Sequence, residues 1–261
     1  LNNKVMSRYK DWFGSVEIFA TTRAATIKDF VYIREDNLVD CVKFNLVQKK
    51  NNVFHILKNS LKLIEAVRNS NCIVSRMSIY GALAVIYARK FNKPYIIEMV
   101  ACPWDSLWYH SKKGRVLAPF MTLLTKLLIK SADNVLYVTN EFLQSRYPCA
   151  RNTIGCSDVE LAKIDESQLF KRIEKIKSLN DTKKLKICTL ANVGVRYKGQ
   201  DLIIRSIAEL NSNGYDIDYY LIGGGDEGYL RSIARGLGIE NDVHFIGPVP
   251  HEEVFSYLNN I

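Results

Sequence analysis

The chain has 261 residues, of which 48% are hydrophobic and 24% are charged. This composition is that of a globular protein and excludes a disordered chain, a collagen and a disulfide-rich miniprotein. The six cysteines are scattered and form no C-x-x-C pair, which argues against a zinc or redox motif and predicts a reduced, cytoplasmic setting. No run of 18 apolar residues occurs, so the sequence predicts no membrane-spanning helix.

The net charge of +9 is unevenly distributed along the chain. Residues 1–178 contain 28 Lys and Arg against 16 Asp and Glu, whereas residues 179–261 contain 8 against 11. This asymmetry favours two structural units, the first of which faces an anionic partner. Nucleic acid, an acidic lipid surface and an anionic substrate are all compatible with the charge, and so is a basic surface without a polyanion.

Strand and helix patterns alternate through the first half of the chain. In order, they predict helix 1–13 ending at Gly14, strand 16–20, helix 53–68, strand 72–75, helix 80–91, strand 94–100, helix 115–131 and strand 135–138. These repeated units predict a parallel sheet with helices on both faces. Charged residues and turn formers at 171–184 place a domain boundary near residue 180, so that residues 1–180 form the first domain.

The same pattern restarts in residues 181–261, which form the predicted second domain. It predicts strand 185–191, helix 200–213, strand 219–222, helix 228–236, strand 243–246 and a last helix from about residue 252. This order of strands and helices indicates a second doubly wound α/β domain.

A glycine-rich loop follows each strand of the second domain. The three loops are residues 192–199, 223–228 and 247–250. Because the carboxyl ends of parallel strands lie at one edge of a sheet, we expect the loops to lie together. Glycine backbone and helix N-termini can approach a phosphate, and the two cations of the first loop, Arg196 and Lys198, can neutralise a diphosphate. The sequence therefore predicts a nucleotide-diphosphate site at this edge.

Two other motifs in the second domain are typical of other ligands, a dinucleotide and a metal ion, but their sequence context supports neither ligand. Gly223, Gly225 and Gly228 match the G-x-G-x-x-G dinucleotide fingerprint, but the following strand does not end in the carboxylate that would hold a ribose. Asp216 and Asp218 form a D-x-D motif, which binds a metal in some other proteins. They precede their strand, so we interpret them as a solvated strand entry at the opposite edge.

Four segments follow one another in order in the second half: residues 197–204 (YKGQDLII), 221–225 (LIGGG), 230–238 and 243–249 (VHFIGPV). Together they resemble the carboxyl-terminal domain of glycosyltransferase family 4, the group 1 glycosyltransferases with the GT-B fold. In the first half, residues 103–108 (PWDSLW) and 137–148 are similar to the acceptor domain of members that build polysaccharides.

The resemblance implies two Rossmann-like domains facing across a cleft, the second truncated. It implies a retaining transfer of a hexosyl group from a nucleotide sugar to a glycan or lipid-linked acceptor, in polysaccharide or glycoconjugate synthesis and without a metal or other cofactor. By similarity, Lys198 would bind the donor diphosphate, with Arg196 beside it. Gly194, Gly224 and Gly225 would line the donor pocket, and the backbone of Val249 would contact the nucleobase.

The sequence also departs from the family pattern. The family usually separates its arginine and lysine by several residues, whereas Arg196 and Lys198 are two apart. No histidine follows strand 94–100, which leaves Asp105 and His110 as acceptor-side candidates. The acidic E-x7-E motif of the family would follow Ile261, so we expect an internal fragment, lacking both ends, that does not turn over donor by itself.

Basic residues precede the apolar segment 116–129, namely Lys112, Lys113 and Arg115. Two interpretations stay open: a peripheral contact with the inner face of the plasma membrane, or a core helix with a solvated basic cap. Neither of them involves nucleic acid. Two alternatives to a transferase stay open at the level of the sequence. One is a GT-B epimerase of nucleotide sugars, and the other is a non-catalytic nucleotide-binding module.

Overall fold

The computed structural model describes residues 9–22, 42–48, 53–157, 165–178, 184–250 and 253–261. Within these residues every strand pair is parallel and helices connect the strands, which confirms the predicted α/β class. The chain divides into two compact units. The first comprises Leu1–Pro103 and Pro119–Asp158, and the second comprises Trp104–Ala118 and Val159–Ile261.

The strands of the first unit form two parallel sheets. They are β1 (Val16–Thr22), β2 (Val42–Gln48), β3 (Ile73–Arg76), β4 (Tyr95–Met99), β5 (Asn134–Tyr137) and β6 (Asn152–Gly155). β1 pairs with β2, and the other sheet has the order β3-β4-β5-β6. Among the described residues, β1 and β3 therefore each have one edge without a strand partner. Residues of both strands line a cavity of about 910 Å³.

Helices α1 (Val53–Asn69), α2 (Ile79–Lys90), α3 (Pro103–Trp108), α4 (Lys112–Lys130) and α5 (Phe142–Arg146) lie between these strands in the chain. α1 and α2 bury Leu63 and Val67 against Ala84 and Ala88, at the one-turn spacing that the helix period requires. The Ser78 side chain caps α2, because its Oγ accepts a hydrogen bond from the Gly81 N–H at 3.0 Å.

The second unit contains α6 (Glu166–Lys177), β7 (Leu185–Leu190), α7 (Gln200–Ser212), β8 (Ile217–Ile222), α8 (Gly228–Gly236), β9 (Val243–Gly247) and α9 (Val254–Asn260). Its sheet has the order β7-β8-β9. The central strand β8 is buried along most of its length, and Tyr219 and Leu221 pack against Ile204 and Ile207 of α7 and Leu230 of α8. This core fixes the two helices whose first turns meet the glycine loops.

The contact-based division differs from the predicted boundary at residue 180. Helix α6 belongs to the second unit, because the Lys175 Nζ donates to the carbonyl oxygen of Asn259 in α9 at 2.6 Å, and the Asn259 Nδ2 donates to Gln168 Oε1 at 3.3 Å. The predicted first helix is described only for residues 9–13, which are helical and end at Gly14, and residues 1–8 lie outside the described residues. Strands β2 and β6 and helices α3 and α5 were not predicted.

Candidate functional site

The three glycine-rich loops of the second unit lie together at the carboxyl edge of the sheet, as the parallel strand order requires. The Val193 N–H of the first loop donates to the carbonyl oxygen of Gly224 in the second loop at 3.0 Å. The Gly223 N–H donates to the carbonyl oxygen of Gly247, which ends β9, at 2.8 Å. The second loop is therefore bonded to both of its neighbours.

Glycine is required at the contact between the first two loops. Gly225 has a φ of +130°, and a Cβ there would lie 2.5 Å from the Asn192 Oδ1 and 2.6 Å from the Gly194 backbone nitrogen. Asn192 in turn holds its own loop, because its Oδ1 accepts from the Gly194 N–H at 2.9 Å. The side-chain amide of Asn192 is thus a loop-building residue that the sequence did not reveal. The predicted donor contacts of Gly194, Gly224 and Gly225 stay predictions.

Both predicted cations lie on one short 3-10 helix, Arg196–Lys198, at the end of the first loop. Both side chains are exposed, and within the described residues neither forms a salt bridge. The guanidinium carbon of Arg196 lies 4.1 Å from the ring centre of Tyr229 in α8, and the Lys198 Nζ lies 5.3 Å from the ring centre of Tyr197. Among the described residues, neither cation therefore has a carboxylate within salt-bridge distance, although Asp201 and Asp226 line the same cavity as Arg196.

A cavity of about 160 Å³ lies between the first turns of α7 and α8. It is lined by Val193, Gly194, Arg196, Gln200, Asp201, Asp226, Tyr229 and Leu230. The side chain of Gln200 is almost completely buried, with 2% of the residue exposed, and its Nε2 has no hydrogen-bond partner among the described residues. Buried amide nitrogens are normally bonded, so this donor is available to a bound molecule or water.

The N-terminus of α7 adds backbone donors to the same edge. Gly199 precedes the helix with a φ of +73° and offers no side chain to cap it. The first N–H groups of a helix lack intrahelical acceptors and carry partial positive charge, which favours an anion there. Val249 lies two residues beyond β9 and is partly buried, and its predicted contact with a nucleobase stays a prediction.

The D-x-D motif lies at the opposite edge, where β7, β8 and β9 begin. The Lys184 Nζ stands among three carboxylates, 3.2 Å from Asp216 Oδ1 and 3.1 Å from both Asp218 Oδ1 and Asp242 Oδ1. The interpretation as a solvated strand entry is wrong for Asp218, which is buried and whose Oδ1 also lies 3.0 Å from the His244 Nε2. A lysine occupies the position between the carboxylates that a cation would take.

Electrostatics within this ion cluster follow from its geometry. Burial alone would raise the pKa of Asp218, but its hydrogen bonds with His244 and Lys184 outweigh burial and hold that pKa below its ordinary value. The same carboxylates raise the pKa of Lys184. In the part of the chain that the structure describes, no group of three or more His, Cys, Asp or Glu side chains could hold a metal ion.

The acceptor-side candidates lie away from these loops in the chain. Asp105 is in the short helix α3, next to the stacked rings of Trp104 and Trp108, whose centres are 5.0 Å apart. His110 lies in the exposed turn after α3, where its N–H donates to the carbonyl oxygen of Leu107 at 3.2 Å. Neither residue lines the cavity between α7 and α8, and their predicted roles stay predictions.

An ion pair between a buried glutamate and an exposed arginine lies at the carboxyl ends of β3 and β4 and escaped sequence reasoning. The Arg76 Nε lies 2.8 Å from Glu98 Oε2, and the hydroxyl of Tyr9 donates to the other carboxylate oxygen. Burial and the neighbouring Glu98 raise the pKa of Tyr9. The pairing is visible only in the strand register, in which Arg76 stands opposite Glu98.

Comparisons with known proteins agree with this geometry. Residues 170–261 match the family model described as glycosyl transferases group 1. This match covers about a third of the chain and lies within its second unit. The chain is 28% identical to the protein CapJ of Staphylococcus aureus over 256 residues, which are 95% of this chain and 62% of CapJ. It therefore spans less than two thirds of that relative's length.

Two solved structures show a fold similar to that of this chain. HepE of Anabaena, in a complex with UDP and glucose, aligns with a TM-score of 0.55 at 13% identity, covering 90% of this chain and 69% of HepE. Sucrose-phosphate synthase of Thermosynechococcus elongatus aligns with a TM-score of 0.55 at 12% identity, covering 94% of this chain and 73% of the synthase. These likenesses confirm the predicted GT-B fold.

Proposed function

We propose that the protein transfers a hexosyl group from a nucleotide sugar to an acceptor with retention of anomeric configuration. The observation that carries this proposal is the carboxyl edge of the β7–β9 sheet. There, three mutually bonded loops present glycine backbone, a helix N-terminus and the cations Arg196 and Lys198 without a salt-bridged carboxylate. HepE, which shares the fold, has been solved with UDP and with UDP-glucose, and the retaining course is supported by the family resemblance.

The proposed chemistry follows from the charge of the leaving group. When the glycosidic bond to the nucleotide breaks, negative charge grows on the departing diphosphate. Lys198 and Arg196, together with the N–H groups at the start of α7, would stabilise that charge more strongly in the transition state than in the bound donor. Because these groups neutralise the diphosphate themselves, we propose that transfer needs no bound metal.

The acceptor is proposed to be a glycan or a lipid-linked glycan in the synthesis of polysaccharide or glycoconjugate. This proposal is supported by the similarity to CapJ and by the basic first half of the chain. Among the described residues, no helix is long and apolar enough to cross a membrane. To act on lipid-linked acceptors, the protein is proposed to contact the cytoplasmic face of the plasma membrane peripherally.

The test uses a form of the protein that spans the full length of its relative CapJ, because this chain covers 62% of that length. It is incubated with a panel of labelled nucleotide sugars and a lipid extract as acceptor, with and without EDTA. We expect label in a lipid-extractable product, released nucleoside diphosphate and no effect of EDTA. The anomeric configuration of the product is read by NMR. Lys198→Ala is the matched inactive variant, and Asp216→Ala, at the opposite edge, is the active control.

The same assay separates the two alternatives. A nucleotide-sugar epimerase would release an epimerised nucleotide sugar in the absence of any acceptor. A non-catalytic module would bind the nucleoside diphosphate and consume no donor under any condition. Either outcome would contradict the proposed transfer.

A further inference from the structure

The cavity between the first turns of α7 and α8 has a buried amide in its wall. Gln200 lines this cavity with 2% of the residue exposed, and its Nε2 has no hydrogen-bond partner among the described residues. A buried amide nitrogen normally donates to an acceptor. The wall therefore presents a hydrogen-bond donor to the molecule that occupies the cavity.

Two carboxylates line the same cavity, and the protein uses each of them only in part. The Tyr229 hydroxyl donates to Asp201 Oδ2 at 3.4 Å, and the Gly228 N–H donates to Asp226 Oδ1 at 2.9 Å. Among the described residues, the second oxygen of each carboxylate accepts no hydrogen bond. The cavity therefore offers hydrogen-bond acceptors beside the amide donor of Gln200.

This mixture of donors and acceptors fits hydroxyl groups better than an anion. A hydroxyl both donates to a carboxylate and accepts from an N–H, so one hydroxyl can use both kinds of group. An anionic group would stand beside Asp201 and Asp226, and like charges placed together weaken binding. The volume is about 160 Å³, and an apolar cavity of about 150 Å³ accommodates one benzene molecule. The cavity therefore fits one six-membered ring that carries hydroxyl groups.

The position of the cavity along the sheet edge decides which part of a nucleotide sugar it can hold. Its lining residues come from 193–201 and 226–230, and none comes from the described residues 247–250 after β9. Val249 in that third loop is the predicted nucleobase contact, whereas Arg196, predicted beside the diphosphate, lines the cavity. A ring in the cavity would therefore lie on the phosphate side of the nucleotide rather than next to the base.

We propose that this cavity binds the ring of the transferred sugar through Gln200, Asp201 and Asp226, and that it selects neutral hexoses over uronic acids. The inference rests on the proposed function, because the sugar is joined to the diphosphate that Arg196 is proposed to contact. A site built to bond hydroxyl groups discriminates against a ligand that leaves its polar groups unpaired. The carboxylate of a uronic acid would in addition be repelled by the two aspartates.

The test measures nucleotide binding by isothermal titration calorimetry in the full-length form that the transfer assay uses. The probes are UDP, UDP-glucose, UDP-galactose and UDP-glucuronic acid. We expect at least one neutral UDP-hexose to bind more tightly than UDP, and UDP-glucuronic acid to bind no more tightly than UDP. Gln200→Leu should lower the affinity for that UDP-hexose about two- to tenfold, as the loss of one hydrogen bond predicts, and leave the affinity for UDP unchanged.

Asp201→Asn tests the selection between neutral and acidic sugars independently of Gln200. Removing this charge should raise the affinity for UDP-glucuronic acid while the affinity for UDP stays unchanged. The matched control is Asp216→Asn at the opposite edge of the sheet, which should change neither affinity. Circular dichroism of each variant shows whether the fold is intact.

Three outcomes would overturn this inference. Gln200→Leu could weaken UDP and the UDP-hexose equally, in which case the amide contacts the nucleotide. It could bind all four probes as the parent does, in which case the amide holds only water. The parent could bind UDP with no gain from any sugar, which would leave the proposed donor edge standing. A parent that binds none of the four probes would contradict the proposed function together with this inference.

Discussion

The guanidinium carbon of Arg196 lies 4.1 Å from the ring centre of Tyr229. This contact joins the loop after β7 to the first turn of α8, and both residues line the cavity that also contains Gln200. A cation held on an aromatic face loses side-chain freedom before any ligand arrives. Tyr229 therefore positions Arg196 at the loop edge where the donor diphosphate is proposed to bind.

Replacing Tyr229 should weaken nucleotide binding through Arg196. An exposed cation–π contact is worth about 0.5–1 kcal/mol, so Tyr229→Leu should lower the affinity for UDP by about two- to fivefold. Isothermal titration calorimetry measures the effect. The variant Arg196→Ala with Tyr229→Leu should bind UDP as weakly as Arg196→Ala alone. Additive losses would show that Tyr229 does not act through Arg196.

Gly225 should tolerate no side chain. Its φ is +130°, and a Cβ at this position would lie within 2.6 Å of the Asn192 Oδ1 and the Gly194 nitrogen. We therefore expect Gly225→Ala to lower the free energy of unfolding by about 1–3 kcal/mol. Urea unfolding measures this loss. Gly236→Ala is the matched control, because it lies in α8 with nothing within 4 Å of its Cβ. It should keep or raise stability by up to about 1 kcal/mol. Equal losses in both variants would contradict the loop contact.

Gln200 and Asn211 provide a matched pair of amides on helix α7. The Asn211 side chain accepts from the Ile217 N–H at 3.1 Å and donates to Asp242 Oδ2 at 3.2 Å, whereas the Gln200 Nε2 has no partner among the described residues. Asn211→Leu should therefore cost about 1–3 kcal/mol of unfolding free energy, while Gln200→Leu should cost little or stabilise the fold. Thermal and urea unfolding of both variants check this. A large loss for Gln200→Leu would show that its amide is bonded in the folded protein.

Acid should weaken the fold through Asp218. Because its folded-state pKa is lowered, its contribution is fully present above the pKa of the unfolded chain, about 3.9, and is lost as the pH falls through the lower folded-state pKa. The free energy of unfolding should therefore fall below about pH 4. Asp218→Asn should flatten this fall, and the matched comparison is Asp216→Asn, at a more exposed carboxylate beside the same lysine. Identical pH profiles in all three proteins would contradict the assignment.

Sequence periodicity was sufficient to predict the second unit almost completely. Strand β8 and helices α7 and α8 lie within about two residues of their predicted bounds, because a buried apolar strand bounded by glycine leaves few alternatives. Strand β1 was predicted, whereas β2 and β6 carry more polar and exposed residues, so the sequences of these two strands lack that contrast. The grouping of α6 with α9 also escaped prediction, since it depends on a contact between residues 84 positions apart.

The candidate site was predictable in its location but not in its contacts. Glycines follow three consecutive parallel strands, and the carboxyl ends of parallel strands lie at one edge of a sheet. The location of the loops therefore does not depend on side-chain conformation. Three features depend on side-chain directions that no local pattern encodes. They are the stacking of Arg196 on Tyr229, the Gln200 Nε2 that lacks a hydrogen-bond partner among the described residues, and the loop-building role of Asn192. The position of Lys184 among Asp216, Asp218 and Asp242 required the register of three strands.

The most direct test of the donor edge compares two lysines at opposite ends of the same sheet. Lys198 follows β7 at the carboxyl edge, and Lys186 is exposed near the start of β7 at the other edge. A charge-assisted contact with a phosphate is worth about 1.5–3 kcal/mol, so Lys198→Ala should raise the dissociation constant for UDP at least about tenfold. Lys186→Ala should leave it unchanged, and Arg196→Ala should have an effect smaller than that of Lys198→Ala. If Lys186→Ala weakens UDP binding while Lys198→Ala does not, the donor binds at the opposite edge of the sheet.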